Sequence, residues 1–222
     1  MKTIITLLAM TVLSSGVIPV RAATLTVNLK SNYYNAVSIN FNGNNENVYA
    51  GTLSSSFTGG PSGYPTSFDT YCVDLSSNIS IPATFMVNLQ SISGLNNGGA
   101  VGWLYDHYGT NKYGAMVSDA NHASALQIAI WEVITDPTYN LTTGNFKYTT
   151  PGDITNYANT YLANLGSNTD NAGYLYATIA GPNGKQSMVG PDVPEPGIIT
   201  MLLSSLVGIT LFTRKRLATT SK

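Results

Sequence analysis

An α+β domain, β-rich with a central group of helices, is the fold class this sequence predicts, and three observations predict it. Apolar residues alternate near the start of the chain, the period lengthens to a helical one between about residues 100 and 166, and alternation returns from residue 174. Clusters of Gly and Asn punctuate the segments between.

Taken in order, Leu25, Val27 and Leu29 share one face of an extended segment, as do Val37, Ile39 and Phe41, so each set reads as a half-buried strand. Gly43 with Asn44 and Asn45 marks a turn, and Gly59-Gly60-Pro61-Ser62-Gly63 marks a loop. A strand is expected from Ser67 to Leu75, with Tyr71, Val73 and Leu75 on its more apolar face and Phe68, Thr70, Cys72 and Asp74 opposite. Residues 84–92 form a further strand candidate. After the Asn96-Asn97-Gly98-Gly99 turn, Ala100, Leu104 and Tyr108 recur at helical spacing and predict a short helix that stops at Gly109. A second helix is expected from Ala120 to about Ile134, ending before Pro137. A third runs from Asp153, an N-cap candidate, through Ile154, Tyr157, Tyr161 and Leu165 to Gly166, whose place suits the end of a helix. Strand character returns over Tyr174–Ala180 and Gln186–Val189, joined by Gly181-Pro182-Asn183-Gly184.

The two ends have a different character. Lys2, an apolar run from Ile4 to Val20, and then Arg21-Ala22-Ala23 follow the charged, apolar and small-residue order of a secretory signal peptide, read as residues 1–22. A cut after Ala22 or Ala23 leaves an extracellular domain over 23–189 and a linker over 190–196. An apolar stretch from Ile198 to Phe212 follows, closed by Arg214, Lys215 and Arg216. Residues 197–216 are read as a transmembrane sorting helix, short against the roughly 20 residues a span needs. Its basic side chains would sit at the cytoplasmic face, with the large domain outside. An ordinary C-terminal anchor is the plain alternative. The order Val193-Pro194-Glu195-Pro196, apolar span, basic cluster resembles the PEP-CTERM sorting signal of Gram-negative bacteria. That resemblance implies recognition by the membrane enzyme exosortase, cleavage near Pro194-Glu195-Pro196, and transfer to the cell surface or exopolysaccharide matrix.

Between the ends stand four basic residues, Lys30, Lys112, Lys147 and Lys185, against ten acidic ones, so the domain is acidic although the whole chain is near neutral at −1. An acidic surface without basic clusters argues against nucleic acid and anionic membranes as partners. The histidines at 107 and 122 lack zinc-motif spacing and the scattered aspartates form no calcium loop, so neither a metal nor another cofactor is expected.

Cys72 is the only cysteine of a chain read as exported, where thiols normally pair. The plain reading is a small buried hydrophobe. Gln127 lies inside Ala123-Ser124-Ala125-Leu126-Gln127-Ile128-Ala129-Ile130-Trp131 and shares a helical face with Ile130, Trp131 and Ile134. A buried amide without partners costs on the order of 1 to 3 kcal/mol, so something must satisfy it, most simply backbone groups. Together, Tyr71-Cys72-Val73-Asp74-Leu75 and Leu126-Gln127-Ile128-Ala129-Ile130-Trp131 resemble the two motifs of thioester domains in Gram-positive surface adhesins. The resemblance implies that the Cys72 thiol and the Gln127 side chain condense into an internal thioester with loss of ammonia. Tyr71, Asp74 and Trp131 would flank the site and His122 would assist proton transfer. An amine or hydroxyl of a surface protein or matrix polymer would then attack, which makes the chain an adhesion protein rather than an enzyme. Leu126 stands where those adhesins usually carry threonine.

Two other readings stay open. One is a matrix or carbohydrate-binding protein, binding without covalent attachment, in which Cys72 is unreactive. The other is a hydrolase in which His122 or His107 activates Cys72.

Overall fold

The computed structural model describes residues 21–59, 65–109, 118–170, 174–179 and 186–192, with the backbone alone at 21, 22, 174–179 and 192. Of the signal peptide expected over 1–22, residues 1–20 lie outside these residues, whereas Arg21 and Ala22 are already strand, paired with Leu89 and Asn88; the expected sorting helix over 197–216 also lies outside. Among the described residues no helix is long and apolar enough to cross a membrane.

A long hairpin dominates the chain. Strand β1 (Arg21–Phe41) turns at Asn42 and Gly43 into β2 (Asn44–Thr58), and the pair stays in antiparallel register from Thr24↔Thr58 to Phe41↔Asn44. Asn42 and Gly43 have φ of 50° and 84°, the left-handed pair of a two-residue turn whose twist suits a hairpin. The two strands expected at 25–29 and 37–41 are therefore one, and β2 is an addition. Its Asn, Ser and Thr residues hide the alternation that apolar side chains would have displayed.

Hydrogen bonds pass from β1 to β2, from β2 to β3 (Phe68–Cys72), and from β3 to β7 (Met188–Asp192). They continue from β7 to β6 (Tyr174–Ile179), from β6 to β4 (Ala83–Ser91), and from β4 back to β1. Every pairing is antiparallel, so six strands close a ring. Leu25, Val27, Leu53, Val87, Leu89 and Met188 fill its interior.

Only half of the hairpin belongs to the ring. Register is interrupted between Leu29 and Tyr34, and beyond that point Tyr34–Phe41 and Asn44–Gly51 project as a wing, extended by β5 (Phe146–Lys147). Val37, Ile39 and Ala50 on its inner face pack against the helices. These are α1 (Gly98–Leu104), continued by a π turn over Tyr105–Gly109, then α2 (Ala120–Thr135) and α3 (Asp153–Leu165). Every residue of α2 from Ala123 to Val133 is buried, which makes it the central rod of the second core. Each of its fully buried large apolar side chains contributes about 1.5 to 3 kcal/mol. The mixed α+β class is as expected, with a closed antiparallel ring beside a helical layer.

Three boundaries differ from the sequence reading. Strand β3 stops at Cys72 instead of Leu75, because the Asp74 carboxylate accepts from the Ser76 N–H and hydroxyl and curls the chain into a turn. Gly152 occupies the N-cap of α3, and Asp153 is its first helical residue. Strand β7 runs on to Asp192, three residues into the expected linker, where Gly190 and Asp192 pair with Leu175 and Tyr174.

Candidate functional site

Cys72 is the last residue of β3, and the pleat sends the backbone groups of successive residues to opposite edges. Tyr71 pairs with Val189 of β7, and the Val73 N–H donates to the Ser187 carbonyl at 2.8 Å, so both turn toward β7. The N–H and C=O of Cys72 therefore point the other way, toward the side of β2. Strand β2 has already left: its pairing with β3 covers only Phe68, Asp69 and Thr70. Two main-chain polar groups are thereby left open inside a core.

Gln127 fills that gap. Its Oε1 accepts from the Cys72 N–H at 2.9 Å and its Nε2 donates to the Cys72 C=O at 2.8 Å. The carboxamide behaves as one extra peptide unit added to the edge of β3. Its position is fixed by α2, whose N-terminus is capped by Asp119 accepting from the N–H groups of Asn121 and His122. Farther along, the Ser124 hydroxyl donates to the Ala50 carbonyl at 2.8 Å and accepts from the Asn35 amide at 3.0 Å, pinning α2 to the hairpin. The sequence reading passed over Ser124 and Asn35, and only the helical spacing of Ser124 from Gln127 hinted at a shared structural duty.

The two chemically distinctive side chains are thus in one place, 55 residues apart in sequence. Gln127 is 1% exposed and Cys72 is 4% exposed. Both faces of β3 are buried at this end, so the less apolar face that carries Cys72 is as well covered as that of Tyr71. The thiol donates to the Asp74 carbonyl at 3.1 Å and accepts from the Asp74 N–H at 3.4 Å. Burial pushes the thiol up to about 12, against the smaller opposing effects of the Asp74 backbone and the Trp131 indole. It is a neutral thiol at ordinary pH.

Tyr71 lies beneath the pair, its hydroxyl 2.7 Å from Thr52 Oγ1 and its ring edge-on to Tyr105. Burial holds its phenol far above the ordinary range. Trp131, 1% exposed, closes the site from the next turn of α2. Asp74 acts through its backbone on the sulfur, while its carboxylate serves the local turn. A cavity of about 370 Å³ opens over Cys72, Gln127 and Trp131, walled by Val48, Leu75 and Ile81 among others.

His122 is not among the residues lining this cavity. Five residues of α-helix turn it about 140° from Gln127. There it lies 3.1 Å from Asp119 Oδ1 and from Ser118 Oγ, stacked on Tyr157 at 4.0 Å. His107 stacks on Trp103 at 3.9 Å, with its Nδ1 2.8 Å from the Trp103 carbonyl oxygen. Among the described residues no group of three or more His, Cys, Asp or Glu side chains is arranged to hold a metal ion. The Pro194, Glu195, Pro196, Arg214, Lys215 and Arg216 motif lies outside the described residues.

Comparison with protein-family models, with curated proteins and with solved structures finds no match to this chain.

Proposed function

We propose that this chain is an exported surface or exopolysaccharide-matrix protein that attaches covalently to a nucleophile through an internal Cys72–Gln127 thioester. The observation that carries the proposal is the pairing of the Gln127 carboxamide with the backbone of Cys72, at 2.9 and 2.8 Å, inside a cavity that both residues line. In forming the thioester, the Cys72 sulfur adds to Gln127 Cδ and the C–N bond breaks. Ammonia leaves, carrying the thiol proton. The Cys72 N–H already points at Oε1, the atom on which negative charge develops when sulfur adds and again when a nucleophile attacks. Burial of Cys72 and Gln127 keeps water from the acyl group until a partner enters the cavity.

Export and sorting rest on the sequence: the N-terminal signal segment acts with signal peptidase, and the Pro194-Glu195-Pro196 motif, apolar span and basic cluster act with exosortase. The protein is then held first at the inner membrane by the C-terminal helix and afterwards at the surface or in the matrix.

A second reading has its own support. The backbone of Cys72 satisfies both ends of the Gln127 amide, and the Asp74 carbonyl accepts from the thiol, so the pair is also coherent as a purely structural lock in a protein that binds without covalent attachment. A Cys-His hydrolase is the weakest reading, because the hydrogen bonds of the Cys72 sulfur go to the Asp74 backbone and neither histidine lines its cavity.

Intact-mass measurement of the mature domain separates these readings. The thioester predicts a mass short by one ammonia, with methylamine adding to Gln127 and freeing one titratable thiol. A full mass, unchanged by methylamine, would leave the structural lock.

A further inference from the structure

Two clefts meet on the wing of the hairpin. The outward face of β1, β2 and β5 bears a groove of about 660 Å³ whose lining includes Ser38, Asn40, Asn45, Asn47, Lys147 and Thr149. Asn47 also lines the cavity that holds Cys72 and Gln127, as does its neighbour Tyr49. The two spaces therefore adjoin at Asn47, on the free half of β2.

The side chains of this groove are organised before any ligand arrives. Cross-strand register puts Ser38 opposite Asn47 and Asn40 opposite Asn45 and Lys147. Ser38 donates to Asn47 Oδ1 at 2.5 Å and the Asn40 amide donates to Asn45 Oδ1 at 2.8 Å. Each of these bonds leaves further donors and lone pairs of the same amides facing outward, since a carboxamide offers two donors and two acceptor sites. No carboxylate lines the groove, and Lys147 makes no ion pair among the described residues. Two residues on from Asn47 along β2, Tyr49 is 64% exposed, its ring held edge-on at 5.4 Å by Tyr34.

We infer that this groove binds a neutral polysaccharide and leads it to the Cys72–Gln127 cavity, where a sugar hydroxyl is the nucleophile. Fixed amides and hydroxyls match a chain of hydroxyl groups, and an exposed tyrosine face matches the apolar side of a pyranose ring. A polyanion would find a single cation on an acidic domain. A peptide would find no apolar side-chain pocket in the groove, where the one apolar residue of the lining, Ile39, is buried in the core on the inner face. The docking stands on the groove alone, whereas the covalent step rests on the thioester reading. In that step the hydroxyl oxygen bonds to Gln127 Cδ, the C–S bond breaks, and the hydroxyl proton ends on the Cys72 sulfur, giving an ester and a thiol.

The test titrates the mature domain calorimetrically with a β-1,4-linked glucose hexamer and with an α-1,6-linked glucan, beside alginate and a lysine-rich peptide. Binding to at least one neutral glucan is expected, unaltered by prior methylamine treatment and weakened tenfold or more in Asn47→Ala and Tyr49→Ala. Both variants change exposed side chains, so their melting temperatures should match the parent and exclude misfolding as the cause. Absence of binding to both glucans, equal binding by the variants, or preference for alginate or the peptide would overturn the docking. Mass spectrometry of the incubated mixture then reads the second step: a saccharide adduct, abolished by methylamine, is expected. Binding without an adduct would overturn the sugar hydroxyl as nucleophile and leave the docking standing, while the ammonia deficit in the intact mass decides the thioester separately.

Discussion

The Gln127 carboxamide replaces a missing strand at one residue, and its removal measures that service. Gln127→Ala leaves the Cys72 N–H and C=O without partners in a buried site and opens a small void beside Trp131. Each orphaned group costs about 1 to 3 kcal/mol, so urea unfolding should show a loss of roughly 2 to 5 kcal/mol. An unchanged midpoint would mean that water or a shifted β2 takes over those bonds. Glu132, the next residue but four along α2, poses a different problem. It is fully buried, its Oε1 accepts from the Asn140 N–H at 2.6 Å, and its Oε2 has no hydrogen-bond partner among the described residues. Burial pushes its carboxyl up from 4.5 to about 7, opposed by the Asn140 N–H and reinforced by nearby Asp136. The folded state thus holds this proton more tightly than the unfolded chain does. Its contribution to stability is present below pH about 4.5 and is lost as pH rises through about 7. Glu132→Gln should flatten that slope and raise stability at pH 8, by up to about 3 kcal/mol. Urea midpoints taken at pH 5 and pH 8 check it, and parallel curves for the two proteins would refute it.

At the scale of elements, the hairpin carries the argument because it serves two cores. Its bend lies where Tyr34 pairs with Gly51 after the register shift. Gly51 has φ of 148°, a conformation side chains rarely adopt, and a Cβ there would run into the Tyr33 carbonyl oxygen. Gly51→Ala should therefore cost roughly 1 to 3 kcal/mol and displace the wing relative to the ring. Amide hydrogen exchange should rise along Tyr34–Phe41 and Asn44–Gly51 while β4 stays protected; uniform exchange would show that the bend is not a hinge between the two cores. The element layout was partly legible. Helix α2 announced itself through its long apolar run ending before Pro137, and the hairpin turn through Gly43, whereas the Asp119 cap and the left-handed Asn42 emerged only in the structure. Strand β2 and the two-residue β5 did not, because strand identity there comes from pairing with β1 and not from alternation.

For the whole molecule, closure of the ring depends on the last described strand. Strand β7 bridges β3 and β6, places Met188 in the interior, and ends at Asp192, beside the Pro194-Glu195-Pro196 segment. A chain ending after Asp192 should melt with the cooperativity and temperature of a longer one. Ending it before Gln186 opens the ring and exposes its interior, so thermal unfolding should become broad or disappear. Equal melting of the two would deny β7 its closing role.

The α+β class, the central helices, a lone thiol and an amide set in an apolar helix were legible in the residues alone. Those are local properties, set by periodicity, capping and composition. That β2 leaves β3 at Thr70, that Gln127 takes its place against Cys72, and that His122 turns away emerged only from the folded chain. The reason is that these facts depend on which strand edges remain unpaired after the ring closes, and an edge has no signature in the residues that form it.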